Sequence, residues 1–208
     1  MTVPRIAGVL LDMDGTLVDS DAAVERTWTA WALDQGLDPA QVLAACHGET
    51  AATTVRRFRP DLDEASVEAH AQAHMEREVI DVEGVVAAPG ANDVIATLGE
   101  LGLPWAVVTN AERRLAQARL GAAGITAPQL VALDDVAAGK PAPDSYLAGA
   151  QAIGVPVQAC LVVEDSASGV AAGRAARAHV VGLRGVEADS SAGDLADVAR
   201  LLRHLAAS

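Results

Sequence analysis

Residues Ile6-Ala7-Gly8-Val9-Leu10-Leu11-Asp12-Met13-Asp14-Gly15-Thr16 begin as an unbroken apolar run and end in two carboxylates one residue apart, a glycine and a hydroxyl. A continuous apolar run of this length reads as a strand covered on both faces, which is the habit of parallel sheets. Side chains alternate along a strand, so Asp12 and Asp14 project to one side, and Gly15 permits a sharp turn that frees both at the strand's C-terminal edge. Open α/β sheets bind ligands at that edge. Two carboxylates so close repel one another unless a cation or a shared proton intervenes, and a hard, oxygen-seeking ion such as Mg²⁺ answers that need.

Further apolar runs at 105–108, 161–163 and 179–183, and a weaker one at 130–133, are each bounded by glycine, proline or a polar residue. Helical patterns at 92–101, 112–123, 144–153 and 168–176 lie between them, and one at 194–205 closes the chain. Strand alternating with helix predicts a doubly wound, Rossmann-like parallel sheet. Residues 18–86 break the rhythm, with helical patterns at 22–35, 39–45, 50–57 and 64–80 and no convincing strand. The expectation is an α/β core from 1–17 and 87–208 with an inserted, all-helical domain over 18–86.

Each later strand also ends in polar residues. The run at 105–108 leads into Thr109-Asn110, where a hydroxyl and an amide at a strand-to-helix junction can bind phosphate oxygens. Lys140 stands in Gly139-Lys140-Pro141-Ala142-Pro143, where two prolines stiffen the backbone around one ammonium. The run at 161–163 ends in Glu164-Asp165-Ser166. Carboxylates at the end of a buried strand again call for a cation, so Asp165 is expected as a metal oxygen, with Glu164 assisting directly, through a water or through Lys140.

The net charge is −13 with scattered basic residues, which argues against nucleic acid and anionic membrane surfaces as partners. A phosphate site must then make its own positive field from metal, lysine and backbone amides. Apolar residues are 51% of the chain and aromatics 2%, so packing must rest on many small aliphatic contacts. Cys46 and Cys160 lie far apart in unlike contexts and are expected as free thiols. The N-terminal apolar run is too short for a secretion signal and no stretch approaches a membrane span, so a cytoplasmic protein is expected.

These four strand-end segments, taken in order, resemble the haloacid dehalogenase-like hydrolases along essentially the whole chain. The resemblance implies a phosphomonoesterase in which Asp12 is the nucleophile and Asp14 the general acid and base. Asp14 would also lend a backbone carbonyl to Mg²⁺. Thr109 would bind phosphate, Lys140 would neutralise charge, and Asp165, with Glu164 as its neighbour, would complete the metal set of Asp12, Asp14, Asp165 and Glu164.

The helical insert resembles the small cap of the phosphoglucomutase-like branch. Stretches such as Val24-Glu25-Arg26-Thr27-Trp28, Cys46-His47-Gly48-Glu49, 84–90 and 139–146 are similar to bacterial sugar phosphatases and to yeast glycerol-phosphate and deoxyglucose-phosphate phosphatases. Small sugar or polyol phosphates are therefore the expected substrates, met by a monomer or weak homo-oligomer. His47 and Glu49 are candidate hydroxyl-binding residues. A β-phosphoglucomutase is the alternative, but its cap histidine falls on Val24 and its cap arginine near Ala51. A non-catalytic sugar-phosphate sensor has no use for Asp12 beside a metal. Trp28 and Trp31 are expected to pack in a core, and His70 and His74 to lie on a solvated helix face.

Overall fold

The computed structural model describes residues 6–46 and 49–207. Among them the chain forms strands β1 (Gly8–Leu11), β2 (Val18–Asp19), β3 (Val86–Ala87), β4 (Trp105–Val108), β5 (Leu130–Val131), β6 (Cys160–Glu164), β7 (His179–Gly182) and β8 (Ser190–Ser191). The α-helices are α1 (Asp21–Asp34), α2 (Pro39–Cys46), α3 (Ala51–Phe58), α4 (Glu64–Ile80), α5 (Ala91–Leu101), α6 (Arg113–Ala122), α7 (Asp144–Ala152), α8 (Ala167–Ala175) and α9 (Leu195–Ala206).

Six strands make one sheet in the order β5-β4-β1-β6-β7-β8, every pairing parallel. β1 lies at its centre, and Val9, Leu10 and Leu11 are fully buried, as the apolar run predicts. Alternate residues face opposite layers. Leu11, Val107 and Val163 pack with α5, α6 and α9, whereas Leu10, Ala106 and Val162 pack with α7 and α8. The register sets Leu11 beside Val107 and Val163, and the Asp12 amide donates to the Val163 carbonyl at 3.0 Å. The polar residues that follow each strand therefore emerge at one edge.

Helices α1 to α4 form a separate layer around Trp28, Trp31, Ala32, Val42, Cys46, Val55 and Val67. The two tryptophans meet edge to face, with ring centroids 5.4 Å apart. β2 and β3, a short antiparallel pair, join this layer to the sheet. The helix-forming signals are local: Asp63 caps α4 through the Ser66 amide and Thr50 caps α3 through the Thr53 amide.

His74 departs from expectation. Val67, Ala71, His74, Met75 and Glu78 share the buried stripe of α4, and the His74 ring stacks on Trp28 with centroids 3.7 Å apart. A four-residue histidine spacing looks solvated only when the apolar stripe is drawn without it. His70, one turn earlier, is half-buried and meets Trp31 edge to face.

Candidate active site

β1 delivers Asp12 to the bottom of a cleft of about 240 Å³ between the sheet edge and the helical layer. That volume suits one small metabolite, below the roughly 300–1,000 Å³ of sites for drug-sized ligands. Gly15 makes the turn beyond Asp12 with φ of +77°, and a Cβ there would meet Asp165 Oδ2 at 2.1 Å. Glycine is required on both counts.

Lys140 reaches this point from the loop before α7. Its buried ammonium donates to Asp12 Oδ1, to Glu164 Oε1 at 2.6 Å and to the Val108 carbonyl at 2.9 Å. Burial by itself would lower the Lys140 pKa, but Asp12 and Glu164 outweigh it, so the group is raised and stays charged. Burial pushes the Asp12 carboxyl well above its usual value, Glu164 and Asp165 add to this, and Lys140 only partly offsets them. For Asp165, burial and then Glu164 lift the pKa to about 6, against Arg184 and Lys140. Ligand oxygens of Asp12, Glu164 and Asp165 lie within 4.8 Å of one another. Three carboxylates facing one ammonium leave an excess of negative charge, and an all-oxygen set of this kind fits a hard divalent cation.

Glu164 was expected beside the metal, assisting through a water or through Lys140, and its contacts include that lysine. Its Oε1 accepts from Lys140 and the Tyr146 hydroxyl, and its Oε2 from the Asp165 amide, the Ser166 amide and Ser166 Oγ. These bonds saturate a carboxylate, so Glu164 is anchored in the wall and works on Lys140. A Cβ on Gly169 would sit 1.7 Å from its Oε1, so glycine leaves the room that this buried acid needs.

Asn110 is committed in part. Its amide donates to the Lys140 carbonyl at 3.1 Å and accepts from the Lys140 amide at 2.8 Å. It borders the cleft and braces the Lys140 backbone, and the second hydrogen of its side-chain amide is left for the phosphate expected of it. Thr109 is similar: its Oγ1 accepts from the Ala111 amide at 3.0 Å, which leaves its own hydroxyl hydrogen to give to a ligand in the cleft. Asp165 accepts from Thr16 Oγ1 at 3.3 Å, and Arg184 Nε lies 3.9 Å from its other oxygen.

Asp14 lines the same cleft and takes the Ser20 hydroxyl at 2.6 Å and Arg119 Nη1 at 2.8 Å. The second arm of Arg119 donates to Glu78 Oε1 of α4 at 2.7 Å. For Glu78, burial would raise the carboxyl, but His74 and Arg119 hold it below the ordinary glutamate value. From the helical layer, Val24, Trp28, Glu49, Thr50, Ala51 and Met75 also face the cleft. His47 lies outside the described residues.

Arg119, Glu78 and Tyr146 were missed from sequence, although a signal was present for two of them. Arg119 falls four residues after Leu115 and beside Leu120, on the buried face of α6, and Glu78 follows His74 on the buried stripe of α4. A charge on a buried face needs a partner. Tyr146, the only tyrosine, carries no such mark.

The description "haloacid dehalogenase-like hydrolase" matches residues 6–177. The chain is 45% identical over 178 residues to hexitol phosphatase A of Escherichia coli, covering 85% of this chain and 82% of that protein. It is 30% identical over 189 residues to glycerol-1-phosphate phosphohydrolase 2 of Saccharomyces cerevisiae, covering 86% and 75%. The solved structure of β-phosphoglucomutase from Clostridium difficile superposes with a TM-score of 0.86 over 97% of each chain at 16% identity, a likeness of fold alone.

Proposed function

The chain belongs to the haloacid dehalogenase-like hydrolases, and on that premise we propose that it is a magnesium-dependent phosphatase of small sugar or polyol phosphates, working through an aspartyl-phosphate on Asp12. The observation that carries this reading is Asp12 itself. It is a buried carboxylate, paired with Lys140 and clustered with Asp165, beneath a cleft of single-metabolite size.

Asp12 attacks phosphorus in line as the ester oxygen departs, and Lys140 reduces the repulsion between the incoming phosphate and the nucleophile. The Thr109 hydroxyl donates to a phosphate oxygen. Asp14 gives its proton to the departing alcohol oxygen and afterwards takes one from the water that cleaves the aspartyl-phosphate. Asp12 and Asp165, with the Asp14 backbone carbonyl, are the residues that would hold Mg²⁺, which when bound neutralises phosphate charge. Glu49 and Thr50, at the cap side of the cleft, are available to sugar hydroxyls. Both cysteines are free thiols, which fits a reducing compartment, and we place the enzyme in the cytoplasm.

Val24 and Ala51 face the cleft where the mutase reading wants a histidine and an arginine. Neither can hold back water from the phosphoenzyme or clamp a second phosphate, which favours hydrolysis. Purified protein incubated with a panel of hexitol, glycerol and hexose phosphates should release inorganic phosphate with Mg²⁺ and none with EDTA. Interconversion of phosphate positions on one sugar without release would establish the mutase instead, and binding without turnover would establish a sensor.

A further inference from the structure

Asp14 is held from two directions, and both lead to the helical cap. Ser20, whose hydroxyl meets Asp14 Oδ1, stands between β2 and the first residue of α1. Arg119, on α6 of the α/β core, is 4% exposed and spans the boundary between the layers. Nη1 bonds Asp14 Oδ2 and Nη2 bonds Glu78 Oε1 on cap helix α4. Removing a guanidinium and a carboxylate from water costs several kcal/mol per ion, and hydrophobic residues of similar volume often serve stability as well. Leu115, Ala116 and Leu120 already pack α6 onto the core. A nearby second cap-to-core pair, Arg114 with Glu76, joins the same two helices at the surface. What the buried pair alone does is touch a reacting group.

We propose that Arg119 and Glu78 are positioning residues that tie the orientation of Asp14 to the seating of the cap. With the cap seated, Glu78 fixes one arm of the guanidinium and the other arm fixes the Asp14 carboxyl toward the cleft. With the cap lifted, Glu78 departs with α4, Arg119 loses an anchor, and Asp14 is no longer held for proton delivery. The inference rests on the reading of Asp14 as general acid. In that step the bond from Asp12 Oδ to phosphorus forms, the bond from phosphorus to the alcohol oxygen breaks, and the Asp14 proton goes to that oxygen.

The experiment uses leaving groups. A polyol alkoxide departs poorly without a proton, whereas p-nitrophenolate needs none. The ratio kcat/KM reports only through departure of the alcohol, so the later hydrolysis, common to both substrates, drops out. Glu78→Gln and Arg119→Lys should lower kcat/KM for glycerol or hexitol phosphate by about 10²-fold and for p-nitrophenyl phosphate by less than about 5-fold, with Asp14→Asn showing the same split more strongly. Glu78→Gln is nearly isosteric and guards against a folding failure of the arginine variant, with thermal melting as the check. Equal losses on both substrates, or no loss on either, in Glu78→Gln and Arg119→Lys while Asp14→Asn still splits them would overturn the positioning role. No split in Asp14→Asn would overturn the general-acid reading, and the inference with it.

Discussion

In the sheet, Leu10, Leu11, Val107, Val162 and Val163 are wholly buried between helices on both faces. The helical cap instead closes around seven buried side chains, and it holds Trp31 Nε1, Thr54 Oγ1 and His74 Nδ1 buried without hydrogen-bond partners among the described residues, while His74 Nε2 lies 3.6 Å from Glu78 Oε1. A buried polar atom left unpaired costs about 1–3 kcal/mol. The two layers thus differ in how firmly they are built. Asp12, the proposed nucleophile, stands with Lys140 and Asp165 on the firm layer, and the residues proposed to face the leaving group stand on the loose one. Rigid placement serves the attacking and phosphate-binding atoms, while a lightly built cap can open for exchange of substrate and product.

The comparison breaks most sharply at Asp12. Asp12→Asn keeps the shape of the side chain and should lower phosphate release by roughly 10⁴-fold or more, with the melting temperature nearly unchanged by calorimetry. Retained turnover would mean that the firm layer does not carry the nucleophile.

Next in size is packing. Leu10→Ala should cost about 3 kcal/mol and expose the sheet to solvent throughout, whereas Trp31→Ala, of similar local cost, should loosen only the cap. Amide hydrogen exchange distinguishes them: protection in β1, β4 and β6 should fall with the first and survive the second. A uniform loss in both would show that sheet and cap unfold as one unit.

A smaller effect belongs to Thr109. Thr109→Val removes the free hydroxyl hydrogen without changing volume much, and kcat/KM should fall about 10-fold, the equivalent of one hydrogen bond to a charged oxygen. An unchanged kcat/KM would confine Thr109 to its bond with the Ala111 amide.

The smallest effect places one cysteine in each layer. Burial pushes the thiols of Cys46 in the cap and Cys160 in the sheet up to about 11, from an ordinary value of 9.0. A raised acid pKa means that the folded state holds the proton more tightly than the unfolded state. The stability drawn from these neutral thiols is therefore complete below pH 9 and declines as pH rises through 11. Denaturant midpoints measured at pH 8 and pH 10 should fall across that interval. Alkylation at pH 9 should be slower than for a free thiol, and faster at Cys46 than at Cys160 if the cap opens more often.

Much of the catalytic edge was legible because it is local. Asp12, Thr109, Glu164 and Asp165 each end or follow an apolar run, and a parallel sheet leaves such residues together at one edge whatever the details of packing. Asn110 and Glu164 were recognised as members of the site, but their bonds to the Lys140 backbone and to Tyr146 and Ser166 were not, since residue types say that they will bond and not everything they will bond. Lys140 was legible from its stiffened loop, and its link to Glu164 was one of the readings open there, although its bond to Asp12 was not.

What the sequence alone determined is therefore the α/β alternation, the helical insert and the identity of the residues at the strand ends. These follow from periodicity and from residue chemistry, and both act over a few positions of chain. Only the tertiary structure decided that His74 is buried on Trp28 and that Arg119 joins Asp14 to Glu78. Those pairings span 41 to 105 residues of sequence and arise from how helices α1, α4 and α6 and the turn after β1 pack together. No local pattern encodes such a distance, because its cause is the packing of one layer against another.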